Sequence, residues 1–278
     1  MVNRAMMQSA VTMGQVQKKL DLIGTNLSNS NTTGYKARQA DFTSLLIQNI
    51  DNLKDEDAAV GRETPDGIRL GSGARIGHTN LNLSQGSLQT TDRELDVAML
   101  EDRHMFQMQV NTEDGPETQY TRAGNFYFSP VEDNQLLLTT SEGHPVLGDN
   151  GEEILIEEGF DEFSIQEDGS FLVRRGEEQE TEAQLDVIEA IRPRMLEAVG
   201  GNRFRLPDTE ELGFDEDEIL AFVADEDRSL QSQTLEASNV DTGEQMVNMM
   251  NMQRAYQFNA RSISTSDEMM GLVNQLRS

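Results

Sequence analysis

Cysteine and tryptophan are both missing from these 278 residues. Without cysteine there is no disulfide and no thiolate zinc site. Without tryptophan, and with aromatics at 5%, the chain is short of the flat stacking surfaces that bind single-stranded nucleic acid or sugar rings. No apolar run reaches the ~18 residues needed to span a bilayer. The opening Met1-Val2-Asn3-Arg4 mixes polar and apolar residues, so a cleaved secretory signal is not expected. Basic residues are few, 22 against 50 acidic ones, a net charge of −28. A phosphate backbone would be repelled, which excludes DNA and RNA as partners. Lysine is the scarcer base, with 4 Lys against 18 Arg. A heavily acidic, lysine-poor surface suits saline or alkaline surroundings, and compositional bias produces it equally well.

The acid that is present is unevenly placed. Residues 1–50 hold five basic and two acidic side chains, and residues 236–278 hold three and five. The middle, 51–235, carries 14 basic and 43 acidic groups. Packed surface cannot carry many unpaired charges. The ends therefore read as contact surface and the middle as solvated surface.

Both ends carry helical stripes. Val2, Met6, Ser9, Met13, Val16, Leu20, Ile23 and Leu27 alternate in steps of four and three, the spacing that keeps one seam facing a partner helix. Asn26 to Thr33 is a run of backbone-competing polar residues that should end this helix. From about Thr242 to Leu276 there is no proline, and Met249, Tyr256, Ile263 and Met270 recur every seven residues, with Met246 and Ala260 between them. Asn239 or Asp241 can cap its start. Between the helices, short apolar runs from Leu81 to Ile191 are punctuated by turns such as Asp168-Gly169, the texture of an all-β module. The expected class is α+β: long N- and C-terminal helices paired as a coiled-coil-like unit around a central all-β module. The expected segments are an N-terminal helix at 1–35, a linker or arm at 36–70, a β-rich domain at 71–232 and a C-terminal helix at 233–278.

The segment from Asp21 to Lys36, with Asn26-Leu27-Ser28-Asn29 leading to Gly34-Tyr35-Lys36, resembles the N-terminal signature of the flagellar basal-body rod and hook family. That family usually has proline where Thr33 stands. Glu236-Ala237-Ser238-Asn239-Val240 and Gln253-Arg254-Ala255-Tyr256 resemble its C-terminal signature. In the middle, Leu83 to Thr91, Leu95 to Ala98, Tyr120 to Phe126 and Gly143 to Gly148 are similar to the strand-and-turn blocks of distal-rod members. Arg103-His104-Met105-Phe106 stands where the family commonly has Gly-Phe-Phe.

The resemblance implies a non-catalytic subunit of the flagellar basal body that assembles into a helical tube. Its terminal helices would line the inner wall and its β module would sit outside. It also implies partners among copies of itself and other axial proteins, and export by the flagellar apparatus with no cleaved signal peptide. No cofactor is expected, nor a metal. His78, His104 and His144 lack ligand spacing, and the runs Asp55-Glu56-Asp57 and Asp215-Glu216-Asp217-Glu218 lack the glycine of a Ca²⁺ loop. Other readings of the same residues are a secreted acidic enzyme docked by its helices, a rod cap that does not polymerise, and a monomer whose stripes close on each other.

Overall fold

The computed structural model describes residues 2–44, 47–50, 68–71, 74–113, 115–131, 134–149, 151–207 and 213–277. Of the expected linker or arm at 36–70, residues 51–67 lie outside them, with the acid run at 55–57, and the described remainder is largely strand rather than linker. The class is α+β, with helix α1 (Val2–Ser28) and helix α2 (Thr242–Arg277) flanking the strands. The chain forms two compact units. The first comprises Met1–Thr25, Gln39–Thr79 and Gly243–Ser278; the second comprises Asn26–Arg38 and Asn80–Thr242.

The first unit holds most of both helices and two small strand pairs. Strand β1 (Arg38–Ser44) pairs with β4 (Ala74–Leu81), and β2 (Ile47–Ile50) pairs antiparallel with β3 (Ile68–Gly71). On α1 the covered side is the seam of four-three spacing. Val16 and Ile23 are buried, and Met6, Met13, Leu20 and Leu27 are half-buried. Lys19 lies 4.9 Å from the centre of the Phe42 ring, a cation–π contact. On α2, Gln245 and Ser266 are buried, and Met249, Met252, Tyr256, Asn259 and Ile263 are half-buried. These seven also step by four and three.

The second unit is the β module. Its strands are β5 (Leu88–Thr90), β6 (Val97–Met99), β7 (His104–Thr112), β8 (Gly115–Thr121), β9 (Tyr127–Val131), β10 (Gln135–Thr139), β11 (Leu155–Glu157), β12 (Glu162–Ile165), β13 (Ser170–Arg175) and β14 (Glu178–Gln184). After them come β15 (Val187–Ala190), β16 (Glu197–Ala198), β17 (Arg203–Arg205), β18 (Leu220–Phe222), β19 (Leu230–Ser232) and β20 (Thr234–Glu236). The main sheet is antiparallel, in the order β16-β17-β8-β7-β15-β18. Successive side chains of a strand point to opposite faces, so β7 and its neighbour β15 feed two cores. Phe106 of β7 and Val187 of β15 belong to one core, with Phe126, Leu138, Phe171 and Leu185. Their neighbours Met105 and Ile188 belong to the other, with Tyr120, Phe204 and Leu220. The departure at Arg103 to Phe106 is thus the entry to the central strand, where Met105 and Phe106 are fully buried. Phe106 meets Phe126 edge-on, with ring centres 5.0 Å apart.

One charged side chain in this unit is held at a cost. Asp186 is buried beside β15; it accepts a hydrogen bond from Gln107, and Arg228 stands 3.6 Å away. Burial pushes its pKa from 3.8 up to about 6; Arg228 pulls back part of the way, and Asp149 adds to the rise. Folding therefore takes up a proton between about pH 4 and pH 6, and the stability this group contributes is lost as pH rises through that window. The stability of wild type relative to Asp186→Asn should fall by up to about 2–3 kcal/mol from pH 4 to pH 6.5, then stay level. Urea unfolding of both proteins across that range checks it, and a gap independent of pH refutes it.

Candidate functional site

A polar knot lies inside the second unit, built from the sequence blocks singled out above. It begins with Asn26 in the last turn of α1. Its side-chain amide mimics a strand partner: Oδ1 accepts the Arg38 N–H at 3.0 Å, and Nδ2 donates to the Arg38 carbonyl at 2.8 Å. The same Oδ1 accepts the Tyr35 hydroxyl at 3.0 Å. Tyr35 is fully buried, and burial raises the pKa of its hydroxyl. Gly34 makes the preceding turn at φ 67°, and a Cβ there would lie 2.4 Å from the Ala123 nitrogen. Only glycine fits both the left-handed backbone and the space.

At the centre is Glu236, on β20. Its Oε1 accepts Lys36 Nζ at 2.6 Å and the Gly86 N–H at 2.7 Å, and its Oε2 accepts Arg122 Nε at 2.8 Å. Its backbone carbonyl accepts the Gly34 N–H at 2.8 Å. The side chains of Lys36, Arg122 and Glu236 are 1%, 0% and 1% exposed. Two cations share one carboxylate, so Lys36 Nζ and Arg122 Nη1 turn to neutral oxygens as well. Lys36 reaches the Ser84 carbonyl at 2.7 Å, and Arg122 Nη1 reaches the carbonyls of Glu101, Asp102 and His104 at 2.7–2.9 Å. Burial, and next the Arg122 charge, lower the Lys36 pKa to about 8, with Glu236 opposing. Such a group is worth keeping for the geometry it imposes rather than for net stability.

Asn239 closes the knot. Its Oδ1 accepts the Ala37 N–H at 2.7 Å, and its Nδ2 donates to the carbonyls of Asn82 and Ser84 at 2.9 Å. It is therefore not the cap of α2, one of the two roles its position suggested, because its amide is already engaged. Residues 26–38, 82–86, 101–104, 122–124 and 234–239 are tied at one place.

The other expected residues are placed elsewhere. On α2, Met249, Tyr256 and Ile263 lie on the half-buried side, while Met246 and Met270 are exposed. Gln253 and Arg254 of the C-terminal signature are exposed and Ala255 is half-buried. Asn29, Ser238 and Val240 are half-buried on its margin, and nothing is described of the Val2 side chain. Other apolar residues of α2 are exposed: Val247, Met250, Phe258, Met269, Leu272, Val273 and Leu276, Phe258 by 74%. Of these, Val247, Met250, Phe258 and Leu272 point away from the half-buried side.

Sequence reasoning missed Arg122, Glu236, Gly86 and Gly124 as site residues. The signal was present in the blocks that contain them, above all in a glutamate directly before Ala-Ser-Asn in a segment poor in acid. A cavity of about 160 Å³ opens near Tyr120, Ile188 and Phe222 with Glu216 and Asp217 among its lining residues, and both carboxylates are exposed. Among the described residues no group of three or more His, Asp or Glu side chains is placed to hold a metal ion, and no helix is long and apolar enough to cross a membrane.

Three family models match the chain. The one described as flagellar basal body rod FlgEFG protein C-terminal covers residues 231–276; flagellar hook protein FlgE/F/G D1 domain covers 99–173; flagella basal body rod protein covers 8–36. The knot draws on the first and third of these stretches and on Arg122 in the second. The chain is 37% identical over 278 residues to the flagellar hook-basal body complex protein FlhP of Bacillus subtilis, covering 99% of each chain. It is 33% identical to the flagellar basal-body rod protein FlgG of Borreliella burgdorferi, over 99% of this chain and 98% of that one. To FlgG of Bacillus subtilis it is 34% identical, over 95% and 96%.

Proposed function

Because the chain belongs to the flagellar basal-body rod and hook family, we propose that it builds the axial structure by joining copies of itself, and other axial proteins, into a helical tube through its terminal helices. It is a structural subunit of the flagellar basal body. It reaches that place through the flagellar export apparatus.

The observation that carries the assembly mode is the two-sided apolar character of α2. One side, with Met249, Tyr256 and Ile263, is half-buried within the single chain. The other side leaves Val247, Met250, Phe258 and Leu272 in water. Met7 and Val11 on α1 are exposed as well. An apolar stripe on a helix is stable only when something covers it, and apolar patches of this kind mark association surfaces. The seam residues chosen from periodicity then serve mainly the fold of one copy, and the exposed set serves contacts between copies. Methionine-rich helix surface suits neighbours that meet at several angles along a tube.

The test is Phe258→Glu combined with Leu272→Glu. Both side chains are exposed, so the melting temperature of the single chain should not move. Each buried large apolar side chain contributes about 1.5–3 kcal/mol, so the threshold concentration for polymerisation should rise at least about tenfold in sedimentation runs. Polymerisation at the wild-type threshold would refute the proposal.

A further inference from the structure

We infer that Glu236 is the closing charge of the second unit: the β module, both cores included, cannot fold until this late residue reaches Lys36 and Arg122. Synthesis delivers residues 26–38 first and residues 230–239 almost last. Until then Lys36 and Arg122 have only neutral carbonyls to face. Both are out of water in the folded unit, and among the described residues the carboxylate bonded to them is that of Glu236. Asp102, the other acid that acts on Lys36, cannot replace it, because it is exposed and its Oδ1 accepts the Gln85 N–H. An uncompensated buried charge consumes a large share of the net stability of any domain.

The late segment also completes the packing on which these charges rest. β19 pairs with β6, β20 pairs with β5, and Leu230 enters the first core. Arg122 directly follows β8, next to the central strand β7. Two residues on, Gly124 passes against Val97 of the first core, whose N–H donates to the Gly124 carbonyl at 2.9 Å. A charge left unpaired at Arg122 therefore acts on the centre of the sheet and not on a margin. The second unit stays open, and the end of α1 at Asn26 stays unanchored, through roughly the first 235 residues. This holds whether or not copies polymerise.

The experiment uses the full-length chain and amide hydrogen exchange, comparing wild type, Glu236→Gln, Lys36→Met and the double variant. Glu236→Gln keeps the shape and removes the charge. The amides of β7 should lose at least about 100-fold in protection, together with those of residues 34–38 and 84–86, because all belong to one closing event. In the Lys36→Met background one of the two cations is already gone, so the same substitution should cost at least about tenfold less. If Glu236→Gln abolishes folding outright, the double variant must still fold. Two outcomes overturn the inference: β7 amides that keep wild-type protection in Glu236→Gln while only the knot loosens, and a penalty that is the same with and without Lys36.

Discussion

Gly124→Ala should cost on the order of 4 kcal/mol or more of folding stability, a fall in melting temperature of roughly 10 °C for a chain of this size. A Cβ at this position would lie 1.7 Å from the Val97 carbonyl oxygen and 2.8 Å from the Val97 carbonyl carbon. Both obstacles are backbone, so no side chain can turn aside. The ring of Phe106 stands 3.3 Å from the same point. Relief requires the β8–β9 connection to move away from β6, which breaks the Val97–Gly124 hydrogen bond and opens the first core beside Phe126. Gly14→Ala in α1 is the control, since nothing lies within 4 Å of the added carbon and alanine favours a helix over glycine by up to about 1 kcal/mol. Thermal unfolding followed by circular dichroism reads both. Equal melting temperatures for wild type and Gly124→Ala would show that the close approach is not a real constraint.

The N-terminal helix was the most legible part of the chain, because the four-three rhythm from Met6 to Leu27 falls on buried and half-buried residues, although the helix ends at Ser28 and not at 35. On α2, which starts at Thr242 and not at 233, Met246 and Met270 of the expected seam are exposed. The knot was half legible. Asn26, Gly34, Tyr35, Lys36 and Asn239 stand out as unusual residues at fixed spacing. Glu236 is one carboxylate among 50, and its partners Arg122 and Lys36 lie 114 and 200 positions away. No local pattern announces a contact of that range. The central strand was hidden for a different reason. In β7 both faces are covered, so Met105, Phe106 and Met108 fall on both, and Gln107 and Gln109 interrupt the apolar run without marking a solvent side. Strand β14, Glu178-Gln-Glu-Thr-Glu-Ala-Gln184, has the composition of a solvated loop. It is a strand because β13 offers it a full antiparallel ladder, and pairing outweighs intrinsic preference.

The position of Asn26 also decides where the chain can be cut. Removal of residues 2–25 should abolish polymerisation and leave a folded β module with its melting temperature nearly unchanged. Removal of residues 2–30 should abolish polymerisation too, but with a module destabilised by about 2–4 kcal/mol, the cost of stripping partners from buried polar groups. The difference is the Asn26 side chain. Without it the Tyr35 hydroxyl, the Arg38 N–H and the Arg38 carbonyl lose the amide that satisfies them, and Tyr35 is fully buried. The end of α1 thus belongs to the β module although it is helical, and the same five residues separate loss of assembly from loss of fold. Sedimentation and thermal unfolding of the two truncated chains measure these effects independently. A shorter truncate that still forms tubes would remove α1 from the assembly contact. Identical melting of the two truncates would mean that Asn26 does not hold the root of the helix, and the knot would then rest on Glu236 and Asn239 alone.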